Sequence, residues 1–327
     1  METFPTCRSW RLGVISNPRS GSNRRRLPAI RRLFPACDCI RYREAVTPEA
    51  VLSVLDSFAR DGVNLVAINA GDGTVQAALT ALFHHKPYRT LPALALIRGG
   101  TTNMTHLDLG CKGRQSDALG RLIRWVRVGV GNPTIARRPV MRVRHPLQLT
   151  PQFGMFLGAA AIHRGIELFH SRVHGMGLTG DPAHLLILFR FLAALVSRDA
   201  TALGSAPARI HVDDRPLPPR HFLLIAAYSL DRLIMGLRPR WKGLDGPIHL
   251  TAISADPRHF IPALPSLLWG RPTRRAVEKN GFFSQSGQSI RLSLTGGYAV
   301  DGERFFADSR DGDLLIDVGG YADFIRI

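Results

Sequence analysis

Lysine is almost missing from this chain. Of its 43 basic residues only Lys86, Lys112, Lys242 and Lys279 are lysine, and with 25 acidic residues the formal charge is +18. Positive charge carried by arginine forks suits phosphates, whether of a nucleotide, a nucleic acid or a lipid surface. A bias that keeps the protein soluble gives the same total. Cysteine is also scarce: Cys7, Cys37, Cys39 and Cys111 make no CxxC pair, which excludes a metal finger. Cys37 and Cys39, two apart on an expected strand, point the same way without easily bridging, and a reducing compartment suits the set. The first residues lack the apolar core of a signal peptide. No apolar run is long enough to span a bilayer; the best, residues 185–196, is short and carries Arg190. The common nucleotide signatures are absent too, with no GxxxxGK[ST] and no GxGxxG opening the first helix. No aromatic-rich motif supports the charge as a nucleic-acid site, so no nucleic-acid partner is expected. There is no internal repeat and no low-complexity segment.

What is present centres on residues 63–82, VNLVAINAGDGTVQAALTAL. A short apolar run breaks at Ala70-Gly71-Asp72-Gly73-Thr74, and an alanine-rich helical pattern follows, as in the first two-thirds of a βαβ unit. At such a turn the helix offers unpaired N–H groups and the positive end of its dipole to an anion. Asp72 conflicts with that reading, because a carboxylate repels phosphate unless it holds Mg²⁺ or takes a proton.

The same texture recurs along the first 105 residues. Residues 11–18 read as a strand ending in a turn, and Asn17, Ser20 and Gly21 sit where it hands over to a basic helix running through Arg32. Arg24, Arg25 and Arg26 read as that helix's solvated face. Residues 37–43 make a weak strand, and residues 48–60 a helix capped by Thr47 with Pro48 at its first position. Residues 92–97 form another apolar strand, running into Gly99-Gly100-Thr101-Thr102-Asn103. Four strand–turn–helix units predict a doubly wound α/β domain over residues 1–130, with its glycine turns converging at one sheet edge. A helix over residues 116–128 closes it. Residues 131–327 then read as a β-sandwich or barrel, with strands at 134–143, 152–161, 208–212, 222–228, 248–254, 289–294, 304–307 and 314–318. One apolar helical interruption, residues 182–198, has packing between domains as its ordinary explanation and membrane contact as the sharper one.

Two acidic turns lie in the β region. Asp301 and Glu303 flank Gly302 and, in an extended chain, face the same side. Asp245 precedes Gly246. Carboxylates near a phosphate crevice can bind Mg²⁺ or deprotonate a hydroxyl, although each Asp-Gly pair by itself is more often a tight turn.

Asn17-Pro18-Arg19-Ser20-Gly21, Ala70-Gly71-Asp72-Gly73-Thr74, Gly100-Thr101-Thr102-Asn103 and Asp301-Gly302-Glu303 together resemble the diacylglycerol kinase / sphingosine kinase catalytic family, above all its bacterial soluble lipid kinases. NPxSG, GGDGT, GTxN and DGE occur there in this order. The resemblance implies a phosphofructokinase-like nucleotide domain followed by a β-sandwich domain that binds the lipid and contributes DGE. It implies ATP and Mg²⁺ as cofactors and a membrane lipid as acceptor. Asn17, Ser20, Gly21, Gly71, Asp72, Gly73, Thr74, Gly100, Thr101 and Asn103 would line the nucleotide. Glu303 would accept the proton, as in the bacterial branch, or Asp72, as in the sphingosine kinase branch, with Asp301 beside Glu303. Asp245 would hold the metal. The implied location is cytoplasmic, in transient contact with the membrane, and a homodimer is admissible.

The chain departs from the family pattern at four places. Ala70 replaces a glycine, Glu44 stands where relatives place an ATP-contacting threonine, and His249 stands where a second acid is due near Asp245. Met104-Thr105-His106 replaces the usual Asp-Phe-Ala. The rival readings are a NAD kinase-like small-molecule kinase and a catalytically inactive lipid- or nucleotide-binding module.

Overall fold

The computed structural model describes residues 10–34, 37–100, 102–163, 204–233, 236–238, 241, 245–270 and 273–327. The helix expected over residues 182–198 lies outside the described residues, as does Thr101. The chain divides into two compact units, residues 1–138 with 321–327, and residues 139–320. Local pattern alone predicts a boundary after residue 130, with everything beyond it in the second domain. Here the C-terminal residues belong with the first unit.

In the first unit β1 (Leu12–Ser16), β2 (Ile40–Glu44), β3 (Leu65–Ala70) and β4 (Ala93–Arg98) alternate with α1 (Asn23–Arg31), α2 (Pro48–Arg60), α3 (Asp72–Thr80) and α4 (Met104–Leu109). Then comes α5 (Gln115–Val128). All strand pairings are parallel, in the order β4-β3-β1-β2, and Phe324 of the C-terminal strand pairs in parallel with Leu94. β1 and β3 read as unbroken apolar runs because both faces are covered. Leu12 and Val14 pack with Ile30 of α1 and Leu119, Leu122 and Ile123 of α5. On the other face a Cβ at Gly13 would stand 2.5 Å from the Phe58 ring of α2, so glycine is what lets that helix seat. Thr47 caps α2 by accepting the Ala50 N–H at 3.3 Å, with Pro48 in its first turn.

The order β2-β1-β3-β4 places a switch point between β1 and β3, where the chain leaves β1 toward one side and β3 toward the other. Open α/β sheets bind ligands at that point, beyond the strands' C-terminal ends.

Cys37 and Cys39 precede β2 instead of lying on it. The turn between them brings their sulfurs to 2.7 Å, and both remain free thiols.

The second unit is antiparallel. It contains β6 (Gln152–Gly154), β7 (Phe156–Ala160), β8 (Ala206–Val212), β9 (Arg215–Pro216), β10 (Arg220–Tyr228), β11 (Ile248–Ser254), β12 (Phe282–Gly287), β13 (Ser289–Leu294), β14 (Gly296–Val300) and β15 (Glu303–Ala307). β5 (Thr134–Arg144) enters it, and β16 (Leu314–Arg326) leaves it. The sheet path β15-β14-β7-β10-β8-β13-β16 folds over one core that includes Leu157, Ile210, Phe222, Ile225, Leu250, Phe283, Leu292 and Tyr298. Local pattern predicts no strand at β12 or β14. Both are rich in glycine or serine and lack the β-branched alternation that marks the others. Nor does the sequence pattern predict α6 (Phe260–Trp269), a helix with Pro265 inside it.

Candidate active site

In the first unit the turns after β1, β3 and β4 are tied to one another. The Asn17 N–H donates to the Asn69 carbonyl at 3.3 Å, and the Asn17 amide donates to the Thr74 hydroxyl at 2.9 Å. Gly71 N–H donates to the Ser20 hydroxyl at 3.2 Å. The Ser22 N–H reaches the Gly99 carbonyl at 3.0 Å, joining the first turn to the third. Asn17, Ser20 and Thr74 thus hold turn to turn. Of the other expected phosphate contacts in these two turns, Gly21 is exposed and Gly73 half-buried.

Beneath these turns lies a buried amide cluster that the motifs did not announce. Asn23 donates to the carbonyls of Asn17 and Asn69, both at 2.8 Å, and Gln115 donates to the side-chain oxygens of Asn23 and Asn69. Asn69 donates in turn to the Ser16 hydroxyl at 2.9 Å. Asn69 is fully buried inside an apolar strand, and a polar residue there was the signal available in the sequence. The cluster fixes how the strand ends approach each other.

The second and third turns meet backbone to backbone. A Cβ on Gly100 would lie 2.4 Å from the Gly71 Cα, and one on Gly99 would lie 2.7 Å from the Ala70 nitrogen. Glycine at 71, 99 and 100 is explained by this crossing before any ligand is considered. Asn103, left-handed at φ 50°, closes the third turn: it accepts the Gly100 N–H at 2.8 Å and donates to the Gly100 carbonyl at 2.7 Å. Ala70 ends β3 in regular pairing with Arg98, is 4% exposed, and is not among the positive-φ residues. Its methyl is therefore part of the sheet packing.

Asp72 opens α3, yet its carboxylate serves the next helix. One oxygen accepts the Met104 N–H at 2.9 Å and the other the Thr105 N–H at 3.1 Å. It caps α4 from outside, answering two donors that the helix's own residues cannot. α3 itself starts at Gly71 with no side-chain cap, which leaves the end of its dipole to other partners. Arg19 and Arg98 are exposed in the turn after β1 and at the end of β4. His106, in α4, is half-buried with both ring nitrogens shielded and without a hydrogen-bond partner among the described residues, and desolvation followed by the Arg98 charge pushes its pKa down to about 4.

Glu44 is committed elsewhere. Arg31 grips it with two bonds of 2.7 and 2.8 Å, the Tyr42 hydroxyl donates at 2.8 Å, and the Arg31 bonds hold its carboxyl below the usual range. Thr47 is occupied as the cap of α2.

In the second unit Asp301 and Gly302 form the two-residue turn of the β14–β15 hairpin, with φ of 45° and 91° and Val300 paired to Glu303. Both central residues have positive φ, as in a type I′ turn. The extended geometry expected for this stretch is absent, and the two acids diverge. Asp301 is 1% exposed and accepts the N–H groups of Met155 at 2.9 Å and Phe156 at 3.0 Å. Glu303 is exposed at the start of an edge strand.

This latch occurs twice, although the sequence shows no repeat. Asp213, φ 52°, opens the β8–β9 hairpin and accepts the N–H groups of Gln288 and Ser289, each at 2.9 Å. A glycine precedes each pair of donors, and a Cβ on Gly154 or Gly287 would approach the aspartate to 2.6 or 2.5 Å. The aspartate of the DGE triplet thus does structural work that a second aspartate does in the same unit.

Asp245 is exposed, and no group of three or more His, Cys, Asp or Glu side chains is arranged to hold a metal among the described residues. His249 is buried in β11, bonded to the Ser286 hydroxyl at 2.7 Å and packed on Tyr228. It serves the sheet.

Comparison with known proteins agrees with this architecture. A structure of a diacylglycerol kinase from Bacillus anthracis str. Sterne is 17% identical, with 96% of each chain covered and a TM-score of 0.58. A second structure from the same organism is 18% identical, covering 97% of this chain and 96% of its own, with a TM-score of 0.61. Likeness at this identity shows the fold. No curated protein sequence matches. The diacylglycerol kinase catalytic domain profile matches residues 11–130, which span the three tied turns. Residues 11–130 thus match the diacylglycerol kinase catalytic domain family.

Proposed function

We propose that this protein is an ATP- and Mg²⁺-dependent lipid kinase, transferring the γ-phosphate to the hydroxyl of a diacylglycerol-like or sphingoid lipid. The observation that carries the reading is the knot of three glycine turns at the switch point between β1 and β3, beside the start of α3, which no side chain caps. Phosphates fit there, because the dipole end of α3 and the exposed Arg19 offer positive charge to an anion. Phosphoryl transfer depends mainly on positioning and charge neutralisation, and a bound Mg²⁺ supplies the latter. A Mg²⁺ ion takes one or two carboxylates and completes its shell with phosphate and water, so the single exposed carboxylate of Asp245 fits it.

Glu303 is the base in this reading. It is exposed on a hairpin that Asp301 pins, whereas Asp301 and Asp72 each spend both oxygens on backbone N–H groups. Glu303 accepts the proton of the attacking hydroxyl, and Asp72 and Asp301 hold the elements around them.

Labelled ATP with Mg²⁺ and mixed micelles of diacylglycerol, ceramide or sphingosine tests the proposal. A labelled lipid is expected from at least one. No labelled lipid across the panel overturns it, and a labelled water-soluble product would point to a small-molecule kinase instead.

A further inference from the structure

The helix α6 has the pattern of a surface helix turned inside out. Its inner side is ordinary: Ala263 is fully buried in a cluster with Leu223, Ile253 and Phe282, and the buried Ser266 hydroxyl donates to Thr273 at 3.0 Å. Its outer side should be polar. Instead Ile261 is 59% exposed and Trp269 63%, and Pro262 and Pro265 are exposed with them. Ile261, Pro265 and Trp269 follow at i, i+4 and i+8, which puts them along one line of the helix. An exposed apolar line on a protein surface marks a contact.

Its borders say with what. Arg258 and His259 are exposed just before the helix, and Arg274, Arg275 and Lys279 soon after it, against only Asp256 and Glu278 of opposite sign. We infer that α6 lies in the interface of an anionic bilayer, with Ile261, the prolines and Trp269 among the upper acyl chains and the flanking arginines at the lipid phosphates. Tryptophan and isoleucine on one face with basic neighbours is the composition of an interfacial helix. At ten residues α6 is too short to cross, and no helix among the described residues is long and apolar enough to do so. The inference deepens the lipid-kinase reading by naming the element that brings the protein to its substrate, and it is measured without any phosphoryl transfer.

The test is sedimentation of the full chain with vesicles of equal parts phosphatidylglycerol and phosphatidylcholine, and with phosphatidylcholine alone. Wild type is expected to bind the anionic vesicles and to bind the neutral ones more weakly. Ile261→Ser with Trp269→Ser should bind about a hundredfold more weakly, since two half-exposed side chains lose their burial in the bilayer. Its circular dichroism and melting should match wild type. If that double variant fails to fold, Arg274→Glu with Arg275→Glu, both exposed, should weaken binding to anionic vesicles only. Equal binding by the folded variants, or no binding by wild type, overturns the inference. So does a dimer in sedimentation velocity that the double variant abolishes without any vesicle binding, which would assign the face to a second copy. Vesicle binding through α6 with no lipid phosphorylated leaves the docking standing and removes the lipid-kinase reading. Equal phosphorylation of vesicle lipid by wild type and double variant does the reverse.

Discussion

Asp72 accepts the backbone N–H of Met104 at 2.9 Å, so the residue that opens one helix holds the start of another. With the companion bond to Thr105, the contact locks the turn after β3 to the helix after β4. A carboxylate in this position is a structural member of the site. Asp72→Asn keeps one acceptor and turns an NH₂ toward the other N–H. It should lower stability by about 1–3 kcal/mol. Chemical denaturation measures this, and an unchanged midpoint would leave the cap without energetic weight.

The twin latches predict unequal penalties for the same change. Asp301 is buried and Asp213 exposed, so water competes only for the second. Asp301→Asn should cost about 2–3 kcal/mol and Asp213→Asn about 0.5–1 kcal/mol. Urea unfolding of the two variants in parallel decides it, and a larger loss at Asp213 would contradict the burial argument.

Glu303→Gln separates activity from stability. The residue is exposed, so melting should move little, while phosphorylation of the lipid acceptor should fall at least about a hundredfold if its proton-accepting role is correct. Full activity in this variant would remove Glu303 from the chemistry.

Gly100→Ala has nowhere to put its methyl, because the nearest atom is the Gly71 Cα at 2.4 Å, a backbone that cannot rotate away. Gly71→Ala meets the Gly100 Cα at 3.1 Å and asks for a smaller shift. The first should destabilise by about 3 kcal/mol or more and the second by less. Equal melting temperatures for the two would speak against the backbone crossing.

His106 makes stability depend on pH in a defined window. Its folded value is pushed down to about 4 by burial and the Arg98 charge. Below the unfolded value of about 6.5, the unfolded chain binds a proton that the folded chain refuses. Its contribution is complete above about pH 6.5 and is lost as pH falls toward the folded value, at up to roughly 1.4 kcal/mol per pH unit. His106→Gln should flatten that slope in denaturant titrations between those limits. An identical slope would assign the pH dependence to other groups.

Much of the first unit could be read from local pattern, because its elements are local. α2 occupies residues 48–60 as its cap and proline announce, and the strands at β1, β3 and β4 follow apolar runs bounded by glycine. In the second unit β14 escaped notice, since Gly296 and Gly297 carry no side chains to alternate, and its pairing with β7 and β15 is what makes it a strand.

The sequence by itself determined the doubly wound first unit, the antiparallel second and the four motifs, since periodicity, caps and turn glycines act over a few residues. What each acid does was decided only by tertiary structure. Asp72 meets Met104 across 32 residues and Asp301 meets Met155 across 146. A carboxylate's role depends on which donors the fold sets opposite it. Motif spacing carries no record of that.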